Sequence, residues 1–259
     1  MPHYDFRTPR IYLDTALAAG AEVPLGRDQA NHLGNVLRLT AGDAVLVFNG
    51  RDGEWAAELT GSAKRLAVRL ERQVRPQPES ADLDFLFAPL KHARLDYMVQ
   101  KAVELGVSRL KPVLTQHTQV TRINVERMRA NVVEAAQQCG VLNLAEVAEP
   151  IRLGALASHD PDRLLIFCDE DAEVADPVEA LRRVRPLPSA LVPDEALAPM
   201  PMAVLIGPEG GFSEDERALL MMKRPNIVRL SLGPLILRAD TAAVAALTLA
   251  QAVLGNWKA

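Results

Sequence analysis

Two short runs of the sequence, Leu164–Cys168 and Ala203–Ile206, consist of apolar residues only. A strand without polar side chains is buried on both faces, and such strands are typical of parallel sheets covered by helices. Strand and helix patterns alternate around these runs from residue 81 onward, which predicts an α/β fold with a mainly parallel sheet. The other predicted elements are the strands Leu83–Phe87 and Ile227–Leu232 and the helices Leu95–Gly106, Asn124–Gly140 and Asp240–Leu254.

The first seventy-five residues have a different pattern of short strands separated by turns. Strands are predicted at Ala44–Phe48, Trp55–Leu59 and Leu66–Leu70, and the Asn-Gly and Asp-Gly pairs between the first two mark a turn. We therefore predict a small β-barrel. One helix interrupts it, and its predicted inward residues are Ala30, Leu33, Val36 and Leu37.

Residues 75–80, Arg-Pro-Gln-Pro-Glu-Ser, break both periodicities. We place the domain boundary there, with a β-barrel over residues 1–75 and the α/β domain over residues 81–259. A second proline-rich stretch, Pro186–Pro201, contains five prolines and is predicted to be an extended surface connection.

Composition and charge exclude several classes of protein. Hydrophobic residues make up 49% of the chain, which excludes disorder as its main state, and no apolar stretch has the length or position of a membrane span or signal sequence. Cys139 and Cys168 lack the spacing of metal ligands and are predicted to be buried thiols, so we expect a soluble cytoplasmic protein without a metal site. The net charge of -4 argues against a general positive field, and residues 131–259 carry eleven Lys/Arg against eighteen Asp/Glu. Any RNA contact should favour the first half, where residues 1–75 carry ten Lys/Arg against nine Asp/Glu.

A glycine-rich loop, Ile206-Gly-Pro-Glu-Gly-Gly-Phe-Ser213, follows one predicted strand. Ser213 and Glu216 have the spacing of a capping box, so a helix should begin there. The loop is either a tight turn or a place where a ligand approaches the backbone closely, and glycine content alone does not decide between them. It has neither the Gly-Lys-Ser/Thr of a phosphate-binding loop nor the glycine spacing of a dinucleotide fold.

A second loop, residues 230–241, follows the next strand and reads Leu-Ser-Leu-Gly-Pro-Leu-Ile-Leu-Arg-Ala-Asp-Thr. Arg238 stands just before a helix, where a positive charge opposes the helix dipole, and this favours a functional role. Asp240 is explained more simply as the helix N-cap than as a catalytic group.

Together the two loops resemble the C-terminal half of the SPOUT RNA methyltransferases that methylate N3 of uracil in 16S ribosomal RNA, the RsmE-like family. Upstream segments agree with the resemblance, which covers nearly the whole chain: Asn31-His32-Leu33 with Val36-Leu37-Arg38, Gln100–Val107, and Gln138-Cys139-Gly140. The resemblance implies a PUA-like, RNA-binding barrel followed by a trefoil-knot domain. It also implies S-adenosylmethionine as the cofactor, 16S ribosomal RNA of the small subunit as the substrate, and a homodimer with each active site near the subunit interface. The implied cofactor-binding residues are Phe167, Cys168, Asp169, Glu170, Leu205, Ile206, Gly207, Pro208, Glu209, Gly210, Gly211, Leu230, Ser231, Leu232, Gly233 and Leu237.

The expected chemistry needs neither a metal nor a covalent nucleophile, because the electrophile is a sulfonium methyl group. The enzyme has to place uracil N3 in line with the S–CH3 bond and assist loss of the imide proton. Arg238 is the candidate for stabilising the negative charge that spreads onto O2 and O4, and Glu209 and Asp240 are the candidate carboxylates for base or positioning work.

The candidate RNA-binding residues are His32, Arg38, Lys91, Arg94 and His117, although each is also compatible with an ordinary surface role. The chain departs from the family at Leu235 and Val141, where arginine is usual, and at Asp240, where glutamate is usual. These departures keep two alternatives open: a SPOUT enzyme that acts on another ribosomal or transfer RNA nucleotide, and a non-enzymatic ribosome-assembly protein with the same fold. A small-molecule enzyme is disfavoured by the separate barrel.

Overall fold

A computed structural model describes residues 7–62, 65–120, 122–173, 176–184 and 200–257. The chain divides into two compact units: residues up to Glu79 with Ala136–Leu144, and Ser80–Ala135 with Ala145 to the C-terminus. The division after Glu79 falls in the proline-containing segment 75–80, whereas residues 136–144, which the sequence assigns to the second domain, group with the first unit. Of the predicted surface connection, only residues 200 and 201 lie within the described residues. None of the helices in the described ranges has the length and apolar character needed to cross a membrane.

The first unit is built on a five-stranded sheet with the order β1-β3-β4-β5-β2. Every neighbouring pair is antiparallel except β1 and β3, which run parallel. The side chains of Leu33, Val45, Leu59 and Val68 form the centre of its core. The three strands predicted for the small β-barrel are therefore confirmed as members of one sheet. The strands are β1 (Arg10–Tyr12), β2 (Glu22–Pro24), β3 (Ala44–Phe48), β4 (Glu54–Ser62) and β5 (Arg65–Arg75).

The helix that interrupts this sheet differs from its predicted form. It starts as α1 (Arg27–Asn31) and continues as a π-helical turn over His32–Val36, which ends in a bond from the Leu37 amide to the His32 carbonyl at 2.9 Å. A π turn adds a residue to the helical repeat, so positions three and four residues after Leu33 no longer share its face. Leu33 is fully buried, but Val36 and Leu37, predicted to point inward, are 62% and 40% exposed.

The second unit contains a seven-stranded sheet in which all neighbouring strands are parallel. Its order is β12-β10-β11-β6-β7-β8, and β9 also pairs with β7. Every residue of the central strands β6, β10 and β11 is buried, as expected for strands covered on both faces. The α/β prediction is confirmed; the knot itself stays an implication of the resemblance. The strands are β6 (Leu83–Phe87), β7 (Arg109–Leu114), β8 (Glu146–Val147), β9 (Ile151–Arg152), β10 (Leu164–Cys168), β11 (Met202–Ile206) and β12 (Ile227–Leu230).

The helices agree closely with the apolar periodicity. Gly106 has φ +77° directly after α2, the left-handed conformation in which glycine commonly ends a helix. Gln251, buried in α7, donates a hydrogen bond of 2.8 Å to the Leu105 carbonyl and so joins α7 to the end of α2. Cys139, predicted to be a buried thiol, is exposed at the last residue of α3, and this prediction was wrong. The helices are α2 (His92–Glu104), α3 (Val125–Cys139), α4 (Leu153–Leu156), α5 (Pro177–Val184), α6 (Glu214–Lys223) and α7 (Ala239–Val253).

Candidate active site

The carboxyl ends of three neighbouring strands, β12, β10 and β11, meet at one edge of the second sheet. Loops that follow these ends enclose a cavity of about 580 Å³, within the size range of small-molecule sites. Ligands of open parallel sheets bind at this edge, because the loops there converge from different strands. The residues that line it are Cys168, Asp169, Glu170, Ile206, Gly207, Pro208, Glu209, Gly210, Gly211, Leu230, Ser231, Leu232, Gly233, Pro234, Leu235, Ile236, Leu237, Arg238, Ala239 and Ala242.

The structure thus brings together most of the residues implied as cofactor-binding. Phe167 and Leu205 are the two exceptions, because both are fully buried strand residues in the core beneath the cavity. The Phe167 ring packs edge-on against the Phe212 ring, with centroids 4.9 Å apart. Both side chains therefore support the floor of the site rather than line it.

The glycine-rich loop after β11 is held by contacts within the protein. A β-carbon at Gly207 would lie 2.5 Å from the Phe212 ring, and one at Gly211, whose φ is +67°, would lie 2.1 Å from a carboxylate oxygen of Glu170. Ser213 and Glu216 form the predicted capping box at the start of α6. The loop is therefore a tightly packed turn that also lines the cavity, and close approach of a ligand to its backbone stays a prediction.

His117, a candidate RNA-binding residue, contacts this same loop. Its Nδ1 lies 3.0 Å and 3.1 Å from the carbonyl oxygens of Gly210 and Gly211, which only accept hydrogen bonds, so Nδ1 carries the proton and donates. The neighbouring Gln116 amide donates to Glu216 at 2.7 Å. The turn after β7 thus braces the glycine-rich loop, a role that sequence patterns did not reveal.

An ion cluster holds the loop after β10. The buried carboxylate of Asp169 accepts hydrogen bonds from Arg217 at 3.0 Å and from Arg229 at 2.6 and 3.0 Å. Arg217 also pairs with Glu170 at 2.8 Å and with Asp171 at 2.9 Å. The carboxylate of Asp169, a residue implied to bind the cofactor, is therefore engaged by two guanidinium groups. The neighbouring carboxylate of Glu170 is more exposed than that of Asp169. Sequence reasoning missed both arginines, because neither lies in a recognisable motif.

Cys168 lies at the end of β10 on the cavity wall and is buried. Burial, and secondarily the neighbouring charge of Asp169, raises the pKa of its thiol to about 12. The thiol is thus uncharged at neutral pH and is not an activated nucleophile.

The loop after β12 presents the most exposed side chains of the site. Gly233 has φ +109°, and Leu235 and Ile236 extend into solvent. Arg238 is exposed at the cavity rim, and its guanidinium makes no hydrogen bond or ion pair with any of the described residues. Arg238 is also the N-cap residue of α7 through its backbone, so the assignment of the N-cap to Asp240 was wrong. Asp240 lies in the first turn and accepts a hydrogen bond from the Thr241 amide at 3.0 Å.

The candidate catalytic carboxylates share one partner. The Arg94 guanidinium forms an ion pair with Glu209 and lies 3.6 Å from a carboxylate oxygen of Asp240. Arg94, a candidate RNA-binding residue, is thereby brought together with both carboxylates.

The remaining candidate RNA-binding residues are exposed and lie away from the cavity lining. His32 begins the π-helical segment of the first unit, Arg38 lies two residues after its end, and Lys91 precedes α2 in the second unit. Arg38 has φ +59°, an uncommon conformation for a residue other than glycine.

The comparisons agree with this architecture. A family model for an RNA methyltransferase domain matches residues 77–251, and one for an RNA methyltransferase PUA domain matches residues 25–71. The chain is 30% identical over 240 residues to the ribosomal RNA small subunit methyltransferase E of Rickettsia conorii, covering 92% of this chain and 93% of that protein. The corresponding protein of Synechocystis is 30% identical over 238 residues, covering 90% of this chain and 74% of that protein.

Solved structures give the same result. A Legionella pneumophila methyltransferase structure with bound S-adenosylmethionine has a TM-score of 0.78 and 29% identity, and the match covers 95% of this chain and 98% of that one. The structure of a ribosomal RNA small subunit methyltransferase E from Neisseria gonorrhoeae has a TM-score of 0.77 and 23% identity, and the match again covers 95% of this chain and 98% of that one. This likeness supports the fold of the present chain.

Proposed function

Since the chain belongs to the RNA methyltransferase family that includes the ribosomal RNA small subunit methyltransferases E, we propose that it transfers a methyl group from S-adenosylmethionine to N3 of a uridine in 16S ribosomal RNA. One observation carries this proposal. A cavity at the carboxyl ends of β10, β11 and β12 has Arg238 at its rim with its guanidinium unpaired among the described residues.

The residues around the cavity fit S-adenosylmethionine. Backbone groups of Ile206–Gly211 and Leu230–Leu237 supply donors and acceptors for an adenine, and Ile206, Leu232 and Leu237 supply apolar surface. The exposed carboxylates of Glu170 and Glu209 suit ribose hydroxyls and the positive charges of the cofactor. When bound, the cofactor supplies an electrophilic methyl group, so no metal ion is required of the protein.

On the substrate side, Arg238 takes the central role. Transfer of the N3 proton to solvent water leaves negative charge on O2 and O4 of uracil, and an unpaired guanidinium is suited to stabilise it through hydrogen bonds. Because Arg238 has no partner to give up among the residues described, it meets this charge without breaking an existing ion pair.

Glu209 and Asp240 lie near the site and share Arg94 as an ion-pair partner. Glu209 is on the cavity wall, and Asp240 is two residues beyond Arg238 in the first turn of α7. We assign both to positioning work, because the oxygens that face Arg94 already interact with a guanidinium.

RNA binding is assigned to both units. His32, Arg38 and Lys91 offer exposed groups for phosphate or base contacts, and a cavity of about 950 Å³ beside the π-helical segment has Arg27 and Arg65 in its lining. The functional domains are a PUA-like RNA-binding domain over residues 1–75 and a methyltransferase domain over residues 81–259.

We also propose that the protein is a homodimer and that it acts in the cytoplasm. Exposed apolar side chains lie on the rim of the cavity at Leu235 and Ile236, where a second copy near the active site would cover them. A substrate that is part of the ribosome requires the enzyme to be in the compartment where ribosomes are assembled.

The test is methyl transfer from labelled S-adenosylmethionine to small ribosomal subunits that lack the modification, with the product nucleoside identified by mass spectrometry. N3-methyluridine in 16S RNA is the expected product. A different methylated nucleoside would support the second candidate, an enzyme of the same family with another target, which is favoured by the exposed Leu235 where the family usually has arginine. Cofactor binding without transfer to any RNA would refute the proposed reaction.

A further inference from the structure

Arg94 connects three elements of the second unit that are distant in sequence. It lies in the first turn of α2, while Glu209 belongs to the loop between β11 and α6 and Asp240 to the first turn of α7. Its Nη1 donates to Glu209, and its Nε faces Asp240 at 3.6 Å.

The ion pairs that Arg94 makes with Glu209 and Asp240 are partly shielded from solvent. The side chains of Arg94 and Asp240 are only 28% and 18% exposed, whereas Glu209 is 51% exposed on the cavity side. A planar guanidinium with several fixed N–H groups can engage two carboxylates at once, which an ammonium group does less well. Neither Arg94 nor Asp240 lines the cavity, so Arg94 can influence a bound molecule through Glu209, which does, and through the start of α7, where Arg238 lines it.

We propose that Arg94 is a positioning residue, which fixes the spacing between the glycine-rich loop Ile206–Gly211 and the start of α7 and thereby holds Arg238 at the reacting base. This inference rests on the proposed methyl transfer, because Arg238 is its assigned group for the uracil charge. Without Arg94, Glu209 and Asp240 would lose the counter-charge that they share, near a substrate that becomes negative. Both their mutual repulsion and the lost link would move Arg238 away from its working position.

The expected effect is on turnover rather than on binding. Misplacement of a reacting group by about 1 Å lowers rates on the order of 100-fold, so Arg94→Ala should lower kcat about 10- to 100-fold. The dissociation constant for S-adenosylmethionine, measured by calorimetry, should change by a smaller factor than kcat, because Arg94 does not line the cavity and reaches it only through Glu209. Arg94→Lys should recover part of the lost kcat, since an ammonium restores the charge but only one of the two contacts.

Arg183→Ala is the matched control, because Arg183 is exposed, pairs with Glu179 on α5 and is absent from the cavity lining. This variant should keep the wild-type kcat. A lower affinity for RNA in Arg94→Ala with unchanged kcat would overturn the proposal and assign Arg94 to RNA binding. Equal kcat values for Arg94→Ala and wild type would overturn it as well.

Hydrogen exchange separates this inference from the proposed function, because it needs no RNA. The Gly211 amide bonds to the Pro208 carbonyl at 3.0 Å, and the Ala242 amide bonds to the Arg238 carbonyl at 2.8 Å. In Arg94→Ala both amides should exchange at least about 10-fold faster, while those of β11 keep their wild-type rates. Unchanged exchange at both amides would refute the positioning role even if no RNA substrate were methylated by the wild type.

Discussion

Replacement of Asp169 by alanine should destabilise the second unit and weaken cofactor binding together. Asp169 is the common acceptor for Arg217 and Arg229, and its carboxylate is fully buried. Removal of one partner from a buried ion pair typically costs about 3–5 kcal/mol, because the other charge is left without compensation.

The structure places this variant at the lower end of that range. Arg217 keeps its ion pairs with Glu170 and Asp171, and Arg229 keeps a hydrogen bond of 3.2 Å to the Asp171 carbonyl. We therefore expect the free energy of unfolding to fall by about 3 kcal/mol. With a urea slope of about 3 kcal/mol per molar, the unfolding midpoint should move down by about 1 M.

Urea unfolding followed by circular dichroism measures this shift, and calorimetry measures the affinity for S-adenosylmethionine. Asp162→Ala is the matched control, because Asp162 is exposed and its carboxylate makes no hydrogen bond or ion pair with the described residues. The control should change the free energy of unfolding by less than about 0.5 kcal/mol. An Asp169→Ala midpoint as close to wild type as that of the control would refute the assignment of the ion cluster as the support of this loop.

Further predictions concern single side chains in the second unit and Cys139. Arg238→Ala should lower kcat about 100- to 1,000-fold, the usual effect of removing one group that stabilises a developing anion. Its thermal unfolding temperature should equal that of the wild type, because the side chain is exposed. Unchanged turnover would remove the assigned role of Arg238. Iodoacetamide at pH 8 should label exposed Cys139 well before Cys168, because burial raises the pKa of the Cys168 thiol to about 12. Peptide mass spectrometry measures the two rates, and faster labelling of Cys168 would contradict the prediction. Burial lowers the pKa of Lys111 in the folded state, so the unfolded chain binds more protons than the folded chain between the folded pKa and the ordinary lysine pKa. The contribution of Lys111 to the free energy of unfolding therefore rises with pH in that window. The unfolding free energy of Lys111→Met minus that of wild type should therefore decrease between pH 8 and pH 10.5 in urea titrations, and an increase would contradict the prediction.

The periodicity of the sequence determined the two kinds of architecture. The all-apolar runs that became β10 and β11 require burial on both faces, and this requirement is local enough to be recognised from a few residues. The glycine-rich loop was recognisable for a similar reason, because its glycines and the Ser213 capping box are determined by backbone conformation near in sequence.

The periodicity of the sequence did not predict the π-helical turn. An α-helical periodicity assigned Val36 and Leu37 to the core, and only the inserted residue in the turn exposes them. The burial of Cys139 was also predicted wrongly. Its spacing on α3 matches the buried face of the helix, but Cys139 is the last residue of α3 and is exposed to solvent.

The ion pairs around the site were decided by tertiary structure alone. Arg217 and Arg229 meet Asp169 across gaps of 48 and 60 residues, and Arg94 meets Glu209 across 115 residues. Charged residues have no periodicity that reveals their partners, because an ion pair depends on which loops the strand order brings to one edge of the sheet. The sequence therefore determined which segments form the cavity, whereas the folded structure decided which charges hold those segments in place.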